Sequence, residues 1–505
     1  MTFVQTTLQR RRASAVALAG FPLWQVERNG GTAIFRQIHR QIGAAILAGA
    51  LPPGSRLPST RVLAEHLAVA RASVVSAYEQ LLAEGYVAGR IGSGTYVSAD
   101  IPLPIDGGSR QHRPSAKGRR ALAAPRPKRL PEPEFENDVR PFSIARTLAD
   151  AQTMEAWRRL SNRALRAYGS VHFQYADPRG LPELRQVICD YVRATRAVRC
   201  EPAQIIVTAG TQQAMDIAIR ALLRPGDEVL VEEPCYPLAH STLAAAGMTI
   251  RYGPVDAQGF DIASGLRAAG RARAAFVTPS HQFPLGVVMS MARRLALLTW
   301  ARETGAWIIE DDHQSEFRYA GRPLASLQAL DEADRVIYVG SLNKVLFPGL
   351  RIGYAVLPPA ILRTCVQARH LMDRQPPSLS QSVLTEFMRE GHLAGHIRRM
   401  RLLFHDQRDT LIAQLSRQLG SQLAVVAPDQ GMHFVGYLAE GRSDVEVEQA
   451  ARRQGVVARA LGPMYRRRPR RSGLLFGFAG HPRRAMPAAV ARLARAFGEA
   501  AHRHS

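Results

Sequence analysis

The sequence is poor in cysteine, and its cysteines do not form a metal-binding pattern. Only four occur in 505 residues, they are scattered, and no Cys-x-x-Cys pair is present. This spacing indicates neither a zinc site nor a disulfide framework, so we expect no bound metal and reduced thiols of the kind found in the cytoplasm. The four are Cys189, Cys200, Cys235 and Cys365.

Long apolar runs are missing as well. No run approaches the roughly 20 residues that a helix needs to span a bilayer. Three arginines at 10–12 precede an alanine-rich stretch up to Gly20, which resembles a signal peptide, but its apolar part is short. We interpret it as an N-terminal extension, and we expect a cytoplasmic protein without membrane association.

Acidic residues are outnumbered by basic ones. The chain has 66 Lys and Arg against 42 Asp and Glu, which gives a formal net charge of +24. Such a charge favours a polyanionic partner, either nucleic acid or an anionic membrane surface. An arginine-rich composition that reflects a GC-rich genome is the alternative explanation.

Changes in composition along the chain predict two domains and a linker. Residues 1–98 are helix-rich and end in a glycine-rich hairpin, with a core at about 32–98. Residues 99–139 are rich in Pro, Gly, Arg and Lys and lack a sustained apolar period, which predicts a flexible, semi-extended linker. Residues 140–505 alternate short β-rich runs with helical segments.

The N-terminal module has the order helix, helix, turn, helix, hairpin. Apolar residues at 34, 35, 38, 42, 46 and 47 follow a helical period, and Ser59 is placed to cap a second helix over 60–67. A third helix begins near Ala72 or Ser73, and residues 92–97 are typical of a tight hairpin. This is the layout of a winged helix-turn-helix, whose third helix enters the major groove of double-stranded DNA.

The residues of this module resemble the GntR family of bacterial regulators. The matching phrases are Leu51-Pro52-Pro53-Gly54-Ser55-Arg56-Leu57-Pro58-Ser59-Thr60-Arg61, Leu63-Ala64, Arg71-Ala72-Ser73-Val74, Tyr78, Leu82, Glu84-Gly85 and Gly92-x-Gly94-Thr95. The resemblance implies DNA contacts by Arg61, Arg71, Ser73, Gly94 and Thr95. The family often has Gly-Val-Ser where this chain has Ala68-Val69-Ala70, which removes one hydroxyl. A winged helix used for protein contacts is the alternative.

The C-terminal domain carries five short, largely apolar runs that alternate with helical stretches. The alternation predicts an α/β fold with a mostly parallel sheet between helices, and ligands bind beyond the carboxyl ends of such strands. The predicted strands are 205–208, 228–231, 275–278, 307–310 and 336–339.

Lys344 is the central candidate residue. It follows an apolar strand and precedes Pro348-Gly349, a position that suits an amine held in a pocket to form a Schiff base with pyridoxal phosphate (PLP). Such a site also needs an anion cradle, a carboxylate for the pyridine nitrogen and an aromatic ring against the cofactor. The strand ends provide candidates for each. They are Gly210, Thr211 and Gln212 at a helix N-terminus with Arg351 for the phosphate, Asp311 for the nitrogen and Tyr236 for stacking.

The stretch from about 140 to 495 resembles the fold-type-I aminotransferase superfamily, and the whole chain resembles the MocR subfamily of GntR regulators. The shared phrases are Tyr175-x-Asp177-Pro178-x-Gly180, Glu232-Glu233-Pro234-x-Tyr236, Thr278-Pro279-Ser280-His281-Gln282-Phe283-Pro284-x-Gly286, Glu310-Asp311-Asp312, Ser315-Glu316-Phe317 and the segment around Ser341 and Lys344. The resemblance implies bound PLP, a homodimer, and Tyr175 reaching the phosphate of the neighbouring subunit's cofactor.

Three departures from the pattern bear on function. Asn343 stands where the family usually has Ser, and His313 stands where a Tyr that bonds the cofactor's phenolic oxygen is expected. Residues 473–478 lack the Arg that clamps a substrate carboxylate in transaminases, and leucine does not replace such a clamp. The arginines of 466–471 are either a substitute or a solvated basic patch.

These observations favour a PLP-dependent DNA-binding regulator over an enzyme. It senses PLP itself or an amine or amino acid at Lys344, and it controls vitamin B6 or amine metabolism; the missing arginine favours PLP. Two alternatives remain open, an active PLP-dependent aminotransferase with a DNA-binding appendage and a degenerate domain kept for dimerisation.

Overall fold

The computed structural model describes residues 25–28, 31–90, 93–99, 138–144, 146–167, 169–268, 270–321, 324–467 and 471–501. It separates into two units, Met1–Arg126 and Pro127–Ser505. Most of the predicted linker, the signal-like stretch, Gly92 and the arginines at 468 and 470 lie outside the described residues. The domain boundaries at 98 and 139 therefore stay predictions.

Among its described residues, the first unit contains three helices and a hairpin, in the predicted order. They are α1 (Ile34–Leu47), α2 (Thr60–Leu67), α3 (Arg71–Ala83), β1 (Val87–Arg90) and β2 (Gly94–Val97), with β1 and β2 antiparallel. The predicted cap is present, since the Ser59 side chain accepts a hydrogen bond from the Val62 N–H at 3.3 Å. The third helix begins at Arg71, one residue before the predicted start.

A small apolar core holds this unit together. Each helix contributes buried residues at helical spacing, such as Ile38 and Ile42 of α1, Leu63 of α2 and Val74 and Leu81 of α3. The three helices therefore bury a shared face and leave their other sides to the surface.

The second unit contains twelve helices and twelve strands among its described residues. The helices are α4 (Ala151–Arg166), α5 (Pro182–Arg196), α6 (Thr211–Leu222), α7 (Pro237–Ala245), α8 (Ile262–Ala268), α9 (Met291–Thr304), α10 (Leu327–Leu330), α11 (Pro359–Asp373), α12 (Ser378–Arg389), α13 (His392–Leu419), α14 (Asp444–Arg453) and α15 (Met486–Ala501). The strands are β3 (Ile205–Thr208), β4 (Glu228–Glu233), β5 (Thr249–Asp256), β6 (Gly259–Phe260), β7 (Ala272–Val277), β8 (Trp307–Asp312), β9 (Val336–Ser341), β10 (Gly353–Val356), β11 (Leu423–Val425), β12 (His433–Leu438), β13 (Arg459–Ala460) and β14 (Gly473–Gly477).

Eight strands form the main sheet, in the order β3-β10-β9-β8-β7-β4-β5-β6. The five strands from β9 to β5 are parallel, whereas β10 and β6 run antiparallel to their neighbours. All five predicted strands belong to this sheet, and the prediction of a mostly parallel sheet is confirmed. Apolar clusters cover the sheet on both faces, as the unbroken apolar runs require.

A second, four-stranded antiparallel sheet has the order β11-β12-β14-β13 and packs against α13, α14 and α15. No described helix has both the length and the apolar character to cross a membrane.

The direction of the strands decides where a ligand site lies. Since β10 is antiparallel to both β3 and β9, β3 runs in the same direction as β9, β8, β7 and β4. The carboxyl ends of these five strands therefore meet at one edge of the sheet, which is where ligands of such sheets bind.

Candidate cofactor site and candidate DNA interface

Lys344 lies in the turn that follows β9, at this edge of the sheet, and is half-buried. Its charge affects Asp311 and His313 at the end of β8 and His433 at the start of β12. Burial is the main cause of each shift: it raises the pKa of Asp311 and lowers the pKa of His313 and of His433. The Lys344 charge lowers the pKa of all three, so it opposes burial at Asp311 and adds to it at the two histidines. The tertiary structure therefore brings these three side chains close to the lysine.

Asp311 occupies the next-to-last position of β8 and is buried. Its Oδ1 accepts a hydrogen bond from the Thr211 hydroxyl at 3.1 Å. Burial raises the pKa of Asp311 to about 7, and the negative charges of Asp312 and Glu232 raise it further. A buried carboxylate with a single hydrogen bond is suited to pairing with a cationic ligand atom such as a protonated pyridine nitrogen.

The predicted anion cradle lies at the N-terminus of α6. Gly210 precedes the helix with a φ of 128°, a conformation that favours glycine, and a Cβ there would lie 2.9 Å from the Asn343 amide nitrogen. The first N–H groups of α6 have no partners within the helix, so they are available to an anion. The Gln212 side chain points elsewhere, since its amide donates to the Thr242 hydroxyl at 2.6 Å.

Asn343 connects this cradle to the segment after Lys344. The residue is buried, its amide nitrogen donates to the Ala209 carbonyl at 3.1 Å, and its amide oxygen accepts from the Ile352 N–H at 2.8 Å. Arg351, next to Ile352, is exposed and has a left-handed backbone with φ 51°. The amide of Asn343 thus has a structural use that a serine hydroxyl is too short to reproduce.

The predicted stacking residue, Tyr236, immediately precedes α7. Its ring makes an edge contact with Phe283, with centroids 5.5 Å apart. Phe283 in turn contacts the rings of His313 and His433, at 6.1 and 5.3 Å. An aromatic wall therefore extends from Tyr236 to the histidines near Lys344.

His313 has one ring nitrogen in use and one unused. Its Nε2 is buried and lacks a hydrogen-bond partner among the described residues. Burial lowers the pKa of His313 to about 4, and the neighbouring His433 lowers it further, so the ring is neutral at pH 7. An unpaired buried nitrogen is costly. Because the other ring nitrogen bonds the Asp311 backbone, Nε2 accepts, so it fits a donating atom of a cofactor and does not reproduce the donor that a Tyr would supply.

Two histidines near Lys344 were missed as site residues by the sequence analysis. His281 was part of a motif without a function, and His433 begins β12 of the second sheet. Their ring centroids are 5.2 Å apart, and both side chains are buried. In the part of the chain that the structure describes, no group of His, Cys, Asp or Glu is arranged to hold a metal ion. No local pattern identifies His433, which reaches the site only through the fold.

Tyr175 lies on an exposed loop, with 79% of its surface accessible. The guanidinium of Arg374 lies 4.1 Å above its ring, and the adjacent Ala176 N–H donates to the side chain of Gln375. These contacts hold an aromatic side chain out at the surface of the unit.

The assembled residues fit PLP. The buried Asp311 carboxyl, the unpaired Nε2 of His313 and the cradle beside Gly210 offer three different kinds of partner, for a ring nitrogen, a phenolic oxygen and a phosphate. The Lys344 charge acts on Asp311 and His313, and the cradle lies against Asn343, which precedes Lys344 in the chain. This set of groups is what the cofactor's own polar atoms need.

On the first unit, two predicted DNA-contacting arginines are exposed near the start of α3. Arg71 begins this helix, and its Nε donates to the Thr60 hydroxyl at 3.4 Å. Arg61 pairs with Glu65 at 3.2 Å and is 71% exposed. An exposed pair of this kind has little intrinsic stability, so Arg61 is free to exchange its carboxylate partner for a phosphate or a base.

The wing contains one more extended segment than the predicted hairpin. The Leu57 N–H donates to the Thr95 carbonyl at 2.8 Å, which adds the chain around Arg56 to β2 as a third extended segment. Arg56 was not predicted as a contact residue, yet a Cβ at Gly94 would lie 3.2 Å from its Nε. The wing therefore carries an arginine beside the exposed Gly94.

The Ala68-Val69-Ala70 segment forms the turn between α2 and α3, where the sequence departs from the Gly-Val-Ser pattern of the family. Ala68 ends α2 in the left-handed region with φ 51°, where glycine is preferred. Ala70 precedes α3 and offers no side-chain cap to its first N–H groups. The turn keeps its shape without either family residue.

Comparison with protein families agrees with this division. Residues 35–97 match the family described as bacterial regulatory proteins, gntR family, and residues 142–493 match aminotransferase class I and II. The second family depends on PLP. The second unit is also similar to the crystal structure of an archaeal alanine:glyoxylate aminotransferase, with a TM-score of 0.64 and 28% identity, covering 68% of this chain and 87% of that one.

Two regulators are similar over nearly their whole length. The probable rhizopine catabolism regulatory protein MocR of Rhizobium meliloti is 36% identical over 94% of this chain and 95% of its own. The pyridoxine biosynthesis transcriptional regulator PdxR of Corynebacterium glutamicum is 32% identical over 89% of this chain and 93% of its own. The chain belongs to the MocR subfamily of GntR-type transcriptional regulators.

Proposed function

We propose that this regulator binds PLP at Lys344 and double-stranded DNA through its first unit, and that the state of the Lys344 site changes its affinity for DNA. The observation that carries the proposal is that the Lys344 charge acts on Asp311 and His313, while the Gly210 cradle lies against Asn343, the neighbour of Lys344. Asp311 and His313 come from the end of β8 and the cradle follows β3, and together they match the polar atoms of one cofactor.

When bound, PLP supplies an aldehyde that reacts with amines and a ring that withdraws electrons. Asp311 keeps a proton on the ring nitrogen, because its buried carboxylate gains an opposite charge. The N–H groups after Gly210, including that of Gln212, bind the phosphate, with Thr211, Ser341 and Asn343 around them and Arg351 nearby. Tyr236 packs against the ring face, and the neutral His313 accepts a hydrogen bond from the phenolic hydroxyl through Nε2.

A homodimer completes the proposed site. Tyr175 is far more exposed than an aromatic side chain of a monomer's core, and Arg374 holds it in an outward orientation. In the dimer, Tyr175 of each chain reaches the cofactor phosphate of the other. Two DNA-binding units per dimer suit an operator with two half-sites.

On the DNA side, Arg61, Arg71 and Ser73 contact the duplex near the start of α3, and Gly94 and Thr95 contact it from the wing. A ligand at Lys344 alters DNA binding only if it has different affinities for two arrangements of the protein. That ligand is PLP itself or an amine. The names of the similar regulators point to pyridoxine biosynthesis and to rhizopine catabolism, so we place the regulated genes in vitamin B6 or amine metabolism.

The proposal is tested by loading the full chain with PLP. We expect a visible absorbance band that borohydride fixes covalently, and a labelled peptide that contains Lys344. The sequence is favourable for this assay, because Lys117 and Lys128 are the only other lysines. Lys344→Ala is expected to lose the band and the label. DNA affinity for the protein's own upstream region is then measured with and without PLP, and an unchanged affinity would contradict a regulatory function of the site.

An active aminotransferase is the second candidate. The near-complete set of cofactor partners favours it, whereas the absence of arginine from 473–478 opposes it for amino acids. An active aminotransferase must carry out half-transamination with at least one amine of a broad panel. The measurement is the change in the absorbance band of the cofactor after each amine is added. A domain kept only for dimerisation would bind no PLP at all.

A further inference from the structure

His433 presents a hydrogen-bond acceptor inside the protein. Its Nε2 lies 3.1 Å from the Pro284 carbonyl oxygen, and a carbonyl only accepts, so Nε2 carries the ring proton. Burial lowers the pKa of His433 to about 4, so the ring is neutral at pH 7 and Nδ1 has a free lone pair. Nδ1 is buried and has no hydrogen-bond partner in the described ranges.

His281 lies against His433 with the same property. The ring centroids are 5.2 Å apart, and the side chain of His281 is 1% exposed. The Gly286 backbone is a weak partner that raises the pKa of His281 against the larger lowering by burial, but neither ring nitrogen makes a hydrogen bond of normal geometry among the residues described. Gly431 makes room for this ring, since a Cβ at that position would come within 2.2 Å of the His281 Nε2. The His281 ring is therefore closely packed although its nitrogens make no hydrogen bond of normal geometry.

His433 connects this pair of rings to the Lys344 site. The Lys344 charge lowers the pKa of His433, and His281 is adjacent to both His433 and His313, whose ring centroid is 5.7 Å away. An unpaired polar atom in the interior costs about 1–3 kcal/mol relative to a paired one. A ligand that donates hydrogen bonds at this place recovers that loss.

We propose that His433 and His281 form a subsite beside Lys344 for a hydroxyl group of an amine effector, so that the regulator recognises hydroxylated amines rather than α-amino acids. A hydroxyl donates to the Nδ1 of His433, and the neutral ring of His281 packs beside it. A carboxylate has no proton to donate, and it meets neutral imidazoles where transaminases have a clamping arginine. The inference rests on the proposed PLP site and specifies what that site takes up.

Three amines of one carbon skeleton test this subsite. Serinol carries two hydroxyl groups, alanine carries a carboxylate, and isopropylamine carries neither. Each is titrated into the PLP-loaded full chain, and binding is followed by the cofactor absorbance and by calorimetry. We expect serinol to bind at least about tenfold more tightly than alanine or isopropylamine, which is the ratio for about one recovered hydrogen bond.

His433→Phe keeps a buried aromatic ring and removes the acceptor, so it is expected to abolish the preference for serinol while PLP loading persists. His405→Phe is the matched control at an exposed position. The ligand series on the unmodified chain decides the question even if His433→Phe does not fold. Alanine binding as well as serinol, or isopropylamine binding equally, would overturn the subsite while leaving the PLP proposal intact. A chain that takes up no PLP would overturn both.

Discussion

The side-chain amide of Asn343 donates a hydrogen bond to the backbone carbonyl of Ala209, 3.1 Å away and 134 positions earlier in the sequence. The same side chain accepts from the Ile352 N–H. One amide therefore joins the phosphate cradle to the two segments that flank Lys344, so the geometry of the proposed PLP site depends on it.

Asn343→Ala is expected to weaken both the fold and the cofactor site. The substitution leaves the Ile352 N–H and the Ala209 carbonyl without their partner, which costs about 1–3 kcal/mol in the free energy of unfolding. Urea unfolding of the PLP-free chain measures this loss, and titration with PLP measures the fall in affinity. Asn162→Ala, on the exposed face of α4, is the control. Equal stability of the two variants would show that the Asn343 bridge is unimportant.

Asp311→Asn is expected to make the PLP-free chain more stable at pH 8 and to bind PLP more weakly. The pKa of Asp311 is raised from an unfolded value near 3.8 to about 7, so the folded protein retains a proton that the unfolded chain releases. Stability due to this group therefore falls as pH rises from 4 to 7, by roughly 2–4 kcal/mol in total.

The measurement is the difference in free energy of unfolding between Asp311→Asn and the unmodified chain, at pH 4.5 and at pH 8. It should be small at the lower pH and several-fold larger at the higher one, because pH 4.5 is just above the unfolded pKa near 3.8, whereas pH 8 is above the folded pKa of about 7. Asp190→Asn, at an exposed position of α5, should show no such trend. A variant that binds PLP as tightly as the unmodified chain would exclude Asp311 as the partner of the ring nitrogen.

Arg61→Ala and Arg71→Ala are expected to weaken operator binding by about 1–3 kcal/mol each if they read bases. If they contact phosphates instead, affinity falls for all sequences and the slope of log affinity against log salt decreases by about 0.9 per contact. Binding is measured at several salt concentrations. Arg40→Ala, an exposed change in α1, is the control, and an equal effect of all three variants would contradict the assignment.

Ala70→Ser is expected to stabilise α3. Ala70 directly precedes the helix and provides no cap, and a serine hydroxyl there accepts a bond from the second or third N–H group, which contributes about 0.5–2 kcal/mol. Hydrogen exchange of the α3 amides should slow accordingly. Ala72→Ser, inside the first turn, provides no cap and should leave the exchange rates unchanged or faster.

Much of the fold follows from local pattern. The strands β3, β4, β7, β8 and β9 were predicted because each is a short, unbroken apolar run, and their polar carboxyl ends pointed to the site. The antiparallel strand β10 between β3 and β9 was not predicted. Its four buried residues carry no sign of their direction, since buried strands of either direction are apolar.

The sequence by itself determined the two kinds of domain, the strand order along the chain and the position of Lys344, because periodicity, turns and motifs are properties of neighbouring residues. Only the tertiary structure decided what surrounds that lysine. His433 lies 149 positions from the Pro284 carbonyl that fixes its tautomer. The reason is physical, since hydrogen bonding and burial set the protonation of a side chain, and both depend on atoms that the fold brings from distant parts of the chain.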